Sequence, residues 1–250
     1  MNNPKVSIII ATYNSAGTIK QALDSVYNQK YDDWECIIID GASNDGTIQI
    51  VKEYESLDRR FRYISERDNG IYDAFNKGWR LAKGEWIHYL GSDDTLTKDG
   101  LYEIMSYNLD NYGAVSGDVW IKKIDGVIKE NIAHGYSGCH QGKLVRRSIM
   151  KAMNGFDEQY RIMADRDLMY RLENKGIKIL NIHYFIAYFS MNGTSQKLKW
   201  EIQRYKERVK IHNANHRPGI AEFVCGRKLL KSIASVTYRK IRSVILNNHD

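Results

Sequence analysis

The sequence predicts an α/β fold, with an open, mostly parallel sheet in its first half, a mixed second half and an appended helical tail. Three observations predict it. Apolar runs of strand length alternate with helically spaced segments as far as Leu90. Beyond residue 100 the alternation gives way to mixed extended and helical stretches. From Lys197 onward the chain carries 13 Lys and Arg against 4 Asp and Glu, whereas the first 196 residues carry 24 against 26. The expected organisation is a globular domain over 1–196, divided near residue 98, and a basic helical extension over 197–250.

Residues 5–11, KVSIIIA, read as a buried strand. In the following SAGTIKQALDSVYNQ, Ile19, Leu23 and Val26 recur at helical spacing. WECIIID (34–40) is a second buried strand, and GASNDGT is a turn rich in Gly, Ser, Asn and Asp. TIQIVKEYE reads as a helix and RFRYISE as a third strand. GIYDAFNKGWRLAKG reads as a helix with Gly84 as its stop. EWIHYL is the fourth strand and leads to Asp93 and Asp94. Strands alternating with helices imply right-handed βαβ units and a parallel sheet. In the second half, AVSGDVWIKKIDGVIKEN reads as extended structure with an Asp125-Gly126 hairpin turn. GKLVRRSIMKAM and ADRDLMYRLENKG read as helices, and IKILNIHYFIAYFS as strand.

With 43% hydrophobic and 11% aromatic residues, the 250-residue chain can bury a sizeable core. Its first apolar run is too short for a signal-peptide core. No stretch approaches the roughly 18 apolar residues of a membrane span. Three cysteines without CxxC spacing argue against a disulfide framework and fit a reducing cytosol. A slightly acidic main body argues against a nucleic-acid partner.

In open parallel sheets, ligands bind beyond the carboxyl ends of the strands. Thr12, Asp40 and Asp93 all fall at such ends, which groups them into one site. Thr12 and Asn14 read either as helix caps or as contacts to a nucleobase and ribose. Asp40 can accept a hydrogen bond from a base or a ribose hydroxyl, and GASNDGT is otherwise a turn and cap. Neither GxGxxG nor a Walker A motif is present. Asp73 and Asn76 lie one turn apart beside Ile71 and Phe75, and an apolar helix face does not account for them. Asp93 and Asp94 are like charges at the end of a buried strand, a costly arrangement without a positive partner. They read as a Mn²⁺ or Mg²⁺ site completed by substrate phosphates. The competing reading is a cap for LTKDGLYEIM.

VSIIIATYN, IIIDGASNDGT, GIYDAFNKG, AKGEWIHYLGSDD and GFDEQYRIMADRDLMYR together resemble, in order, the motifs of family 2 inverting glycosyltransferases of GT-A fold. The resemblance covers about residues 4–195, and its SERDNGIYDAFNKG variant is similar to a subgroup that builds bacterial surface polysaccharides from UDP-sugars. It implies a Rossmann-like nucleotide half and an acceptor half. It implies that Thr12, Asn14 and Asp40, with Ser43 nearby, hold base and ribose. Asp73 and Asn76 would lie near the ribose and sugar-phosphate. Asp94 would be the metal ligand of a DxD-type motif whose first position is Ser92, and Asp93 would sit beside the ribose or a metal-bound water. Asp165 would be the base, aligned with the Asp of a Glu-Asp pair whose Glu is here Ala164, with Asp167 two residues on as the competing position. An inverting transfer needs one such carboxylate to take the acceptor proton. His140 and Gln141 would line the acceptor or donor-sugar pocket. His183, with His134 as an alternative, is a candidate to complete the metal shell. SMNGTS (190–195) resembles a loop closing over the diphosphate, with Asn192 replacing one Gly.

In the tail, Lys228, Lys231, Arg239 and Arg242 share one helical face, opposite Leu230, Ile233, Thr237, Ile241 and Val244. That is the pattern of a peripheral membrane helix, or of one packed by its apolar stripe. The reading is therefore a cytoplasmic enzyme, peripheral at the inner face of the cell membrane. It moves a hexose or N-acetylhexosamine from a UDP-sugar to a lipid-diphosphate-linked saccharide, in O-antigen, capsule or exopolysaccharide synthesis. Two alternatives are carried. One is a non-catalytic, membrane-associated carbohydrate- or lipid-binding protein. The other is a sugar-phosphate nucleotidyltransferase, whose Gly-rich basic phosphate loop TYNSAGT lacks.

Overall fold

β1 (Val6–Thr12), β2 (Trp34–Asp40) and β4 (Trp86–Gly91) are buried at every position. Strands covered on both faces have no polar side, which is why their sequences are continuous apolar runs. β3 (Phe61–Ser65) is the outer strand and fades from buried Phe61 to exposed Ser65. The computed structural model describes residues 3–123, 126–132, 135–191 and 198–215. The four strands run parallel in the order β3-β2-β1-β4, with Thr12 level with Asp40 and Ala11 level with Gly91. Helices α1 (Ile19–Tyr27), α2 (Thr47–Leu57) and α3 (Ile71–Leu81) make the crossovers. Ile19, Leu23, Val26 and Val51 pack with Ile8, Ile10 and Ile38. On the other sheet face, Gly78 brings the α3 backbone onto β1 and β2, where a Cβ would collide with Ile9 and touch Ile39.

The second half extends the same sheet in the order β4-β8-β6-β9-β5, with β7 paired to β6. Its strands are β5 (Thr95–Leu96), β6 (Ala114–Lys122), β7 (Ile128–Asn131), β8 (Lys143–Arg146) and β9 (Ile179–Ser190). β8 is antiparallel to β4 and β6, whereas β9 runs parallel to β6 through register shifts around Asp118. One expectation is corrected here. In GKLVRRSIMKAM, Lys143–Arg146 is strand and only Arg147–Ala152 is helix α5. Leu144 and Val145 fill the sheet between β4 and β6, so cross-strand burial outweighs helical spacing. Helix α4 is short, Gly100–Met105, because Thr95 and Leu96 pair instead with β9. β6 and β7 pair antiparallel, as the expected hairpin requires, although Asp125 lies outside the described residues. Helix α6 (Ala164–Asn174) follows the expected course.

The chain divides into two compact units, Met1–Asn192 and Gly193–Asp250. In the second, the described element is α7 (Leu198–Ala214), where Gln203 Nε2 donates to Glu207 Oε1 one turn on at 2.8 Å. The basic-face residues Lys228, Lys231, Arg239 and Arg242 lie outside the described residues. Among the described residues, no helix is long and apolar enough to cross a membrane.

Candidate active site

Three loops meet at the carboxyl ends of β1, β2 and β4. Asp40 closes β2 fully buried and accepts the Ser43 amide at 2.9 Å and the Ser65 hydroxyl at 2.6 Å, with the Ser43 hydroxyl on its other oxygen. Asn14 takes a left-handed conformation, φ +48°, and ties the first loop to the second. Its N–H donates to Ser43 Oγ at 2.8 Å, and its Oδ1 accepts the Asn44 N–H at 3.0 Å. Ala42 is also left-handed, φ +63°, so backbone strain gathers where these loops meet. Thr12 Oγ1 is buried there without a hydrogen-bond partner. Neither Thr12 nor Asn14 caps α1, whose cap position is Thr18. Tyr13 is 64% exposed, and its ring converges with Asp68 on Gly41: a Cβ there would stand 2.7 Å from Asp68 Oδ2 and 3.3 Å from the Tyr13 ring.

The acidic pair lies in the turn after β4. Asp94 is 2% exposed. Its Oδ1 accepts the Ser190 N–H at 2.8 Å, and its Oδ2 accepts Gln141 Nε2 at 2.8 Å and the Gly91 N–H at 3.3 Å. Burial and the charge of Asp93 push the Asp94 carboxyl up to about 6, against those bonds and the charge of His140. Burial raises Asp93 too. The two carboxylates converge over Gly91, where a Cβ would stand 2.6 Å from Asp94 Oδ2 and 3.1 Å from Asp93 Oδ1. The capping alternative fails, because α4 begins at Gly100 with Asp99 as its cap. The donor set fits a hard divalent cation. Two carboxylates share one spot, and among the described residues no third His, Cys, Asp or Glu joins them in a cluster that could hold a metal. The remaining positions then fall to phosphate oxygens and water, as Mg²⁺ and Mn²⁺ accept.

A single turn of 3-10 helix, His140–Gly142, joins this pair to a third carboxylate. Gln141 reaches Asp94, while His140 Nδ1 lies 3.3 Å from Asp165 Oδ2 in the first turn of α6. The Tyr72 hydroxyl, on α3, is 3.1 Å from Asp165 Oδ1. Burial alone would raise the Asp165 carboxyl. The hydrogen bond and charge of His140, with the Arg166 N–H and Tyr72, hold it below the usual carboxylate range. Burial would lower His140, but Asp165 and the charges of Asp94 and Asp93 raise it. Each of the two groups thus favours the charged form of the other. Asp167 is instead bound to Arg171 at 2.7 Å, so of the two carboxylates only Asp165 is joined to the cluster. Lys143 anchors the chain before the turn, giving its ammonium to the Gly135 and Ser137 carbonyls at 3.1 and 2.6 Å and to Ser116 Oγ at 3.0 Å.

Other expected site residues are not brought to this cluster. Asn76 is 1% exposed and spent internally. Its Nδ2 donates to the Phe156 carbonyl and Glu158, and its Oδ1 accepts Trp79 Nε1 and the Phe156 N–H. With all its hydrogen-bonding capacity used in pinning α3 to the 156–158 loop, it has none left for a ribose or phosphate. Asp73 accepts the Asn69 N–H at 2.8 Å at the head of α3 and lies 3.6 Å from Lys77. His183 does not join Asp94. Its ring is largely exposed and faces Asp118 at 3.7 Å, seven residues, or about 23 Å of strand, before Ser190. His134 and Asn192 lie outside the described residues. Tyr72, Tyr13, Asp68 and the Ser190 amide are site groups that pattern reading misses. A buried Tyr on a helix reads as core, and a backbone N–H carries no sequence signal.

Residues 7–192 match the family described as "Glycosyl transferase family 2". A "PGL/p-HBAD biosynthesis glycosyltransferase" of Mycobacterium bovis is 31% identical over 209 residues, covering 77% of this chain and 79% of its own. Among solved structures, the mannosyltransferase PcManGT from Pyrobaculum calidifontis, in complex with GDP-Man and Mn²⁺, aligns with a TM-score of 0.71 at 17% identity, over 100% of this chain and 80% of that one. The 1–349 portion of S. aureus TarS in complex with UDP aligns with a TM-score of 0.66 at 18% identity, over 92% of this chain and 70% of that one. Against a longer TarS chain the match spans 39% of that protein. At these identities the likeness is one of fold.

Proposed function

The chain belongs to glycosyl transferase family 2, with a GT-A fold, and from that premise we propose that it is an inverting enzyme working on a UDP-linked hexose or N-acetylhexosamine. The observation that carries this reading is the single turn that binds Asp94 through Gln141 and Asp165 through His140. It would set a seat for a metal-bound diphosphate beside an ionised carboxylate. In the proposed reaction, Asp165 takes the proton from the acceptor hydroxyl as that oxygen attacks the anomeric carbon. The bond to the diphosphate breaks on the opposite side and its electron pair leaves with the nucleotide. Mn²⁺ or Mg²⁺ at Asp94, with Asp93 beside it, would neutralise the departing diphosphate, so no general acid is required. His140 keeps Asp165 ionised and oriented. Asp40 and Asn14 act on the nucleotide indirectly, by fixing the Ser43 loop, while Tyr13, Gly41 and Asp68 offer a ring face and a carboxylate to the base.

The acceptor we propose is a saccharide on a lipid diphosphate, in bacterial surface-polysaccharide synthesis on the cytoplasmic side of the membrane. The basic tail would supply attraction to anionic lipid. Release of the nucleoside diphosphate, measured with Mn²⁺ or Mg²⁺ over a panel of UDP- and GDP-sugars with a short lipid-diphosphate saccharide, tests the reading. One UDP-sugar should turn over only with metal, and Asp94→Ala and Asp165→Asn should each lower the rate at least about 100-fold. Turnover that survives chelation or either substitution removes these roles.

A further inference from the structure

The outer end of the sheet carries three aromatic side chains side by side. Trp120 of β6 stacks on Phe185 of β9, with ring centroids 3.7 Å and planes 12° apart. Tyr188, directly opposite Trp120 in the β6–β9 register, lies 6.5 Å from it with planes 21° apart. These rings are outside the core, and Tyr188 is 37% exposed. Polar groups stand among them. Asp118, opposite Phe185, lies 3.7 Å from the exposed His183 ring, and Glu130 of β7 is opposite Trp120.

The row leads to the acidic pair. Side chains two apart on a strand share a face, so Tyr188 and Ser190 do. The N–H of Ser190 binds Asp94, and Thr95, next to Asp94, pairs with Tyr188. From Ser190 the row recedes along β9, with Tyr188 about 7 Å and Phe185 about 16 Å away along the strand. That reach suits an oligosaccharide rather than a single sugar.

We propose that this aromatic row is an extended acceptor subsite, binding the sugar rings that lie beyond the one whose hydroxyl reacts. The inference rests on the glycosyltransferase reading and deepens it. A pyranose has an apolar C–H face and a rim of hydroxyls, which suits flat rings beside the exposed Glu130 carboxylate and His183 imidazole. A lipid chain wants unbroken apolar surface, and the exposed Glu130 and His183 interrupt it.

The test is a glycan array, probed with the full chain in UDP and Mn²⁺, for wild type, Trp120→Ala and Tyr188→Ala. Wild type should be retained by a set of oligosaccharides and not by the matching monosaccharides. Each variant should lose retention roughly tenfold or more, as expected when an aromatic anchor is removed. Tyr188→Ala removes a half-exposed ring, so an unchanged melting temperature separates lost binding from lost fold. Wild type that retains no oligosaccharide overturns the proposal, as do folded variants that retain as much as wild type. Loss of binding to phosphatidylglycerol vesicles in Tyr188→Ala, with glycan retention intact, puts lipid there instead and overturns it as well. Calorimetric titration of wild type with UDP and Mn²⁺ reports on the parent reading separately. No UDP binding sinks the glycosyltransferase site, whereas UDP binding with glycan retention indifferent to both variants sinks only the subsite.

Discussion

At Gly91 one hydrogen atom keeps a site open. A methyl group there would press on the Asp94 carboxylate, which is held by three hydrogen bonds and has nowhere else to go. Gly91→Ala should therefore cut sugar-nucleotide turnover by about 100-fold, the cost of misplacing a reacting group by about 1 Å. Its loss should exceed any change in melting temperature, and the two measured side by side decide it. Tyr72→Phe tests the other carboxylate. The one hydroxyl hydrogen of Tyr72 faces both the Ile162 carbonyl, at 2.9 Å, and Asp165, at 3.1 Å; without it the ionised form of Asp165 loses a donor and its pKa rises. The acid limb of the pH–rate profile should then move to higher pH, with kcat down about tenfold. A profile that stays in place would detach Tyr72 from the base. Residue identities in the acidic pair were readable from their position at a strand end. Asn76 and His183 were not, because side-chain type tells what a group can bind and not which face it occupies. Asn76 turns inward to satisfy a loop 80 residues away, and His183 sits far down its strand.

Elements carry their own requirement for charge. Glu35, 8% exposed in β2, accepts the Ser7 hydroxyl, the Lys83 N–H and the Arg62 guanidinium, and so ties β1, β3 and the turn into β4 together. Burial raises its carboxyl, but these bonds together pull it below its ordinary value. A carboxyl lowered on folding contributes stability above its unfolded value near 4.5, and loses it as pH falls through the lower folded value. Glu35→Ala should cost about 2 kcal/mol at pH 7, because the Ser7 hydroxyl and the Lys83 N–H lose their acceptor. The gap from wild type in urea denaturation should narrow toward pH 3, and a pH-independent gap would refute the linkage. The parallel strands were readable because burial on both faces writes an unmistakable apolar run. β8 was not, since Leu144 and Val145 suit a helix or a strand alike, and only the vacancy between β4 and β6 decides. The aromatic row on β6 and β9 was equally silent, because register shifts around Asp118 choose which rings meet.

On the scale of the whole molecule, charge is sorted along the chain, with +7 overall and the excess gathered after Lys197. Cosedimentation with phosphatidylglycerol vesicles should fall when Lys228, Lys231, Arg239 and Arg242 are all changed to Gln. At low salt each is worth about 1 kcal/mol near an anionic surface, and raised salt should erase the difference between the two proteins. Equal binding by both would assign the tail another purpose. The βαβ order, and with it the place of the site, follows from the alternation of strand and helix. The joining of the two carboxylate centres does not, because it depends on a turn 46 residues beyond the acidic pair. That turn works as a caliper. Its two jaws are neighbouring residues, whose Cα atoms stand 3.8 Å apart across any trans peptide. Both carboxylates are thereby held by hydrogen bonds from adjacent residues, so a shift of that one stretch of backbone reaches both at once. One jaw cannot be moved without disturbing the other, so re-engineering of the site has to begin in the walls around them.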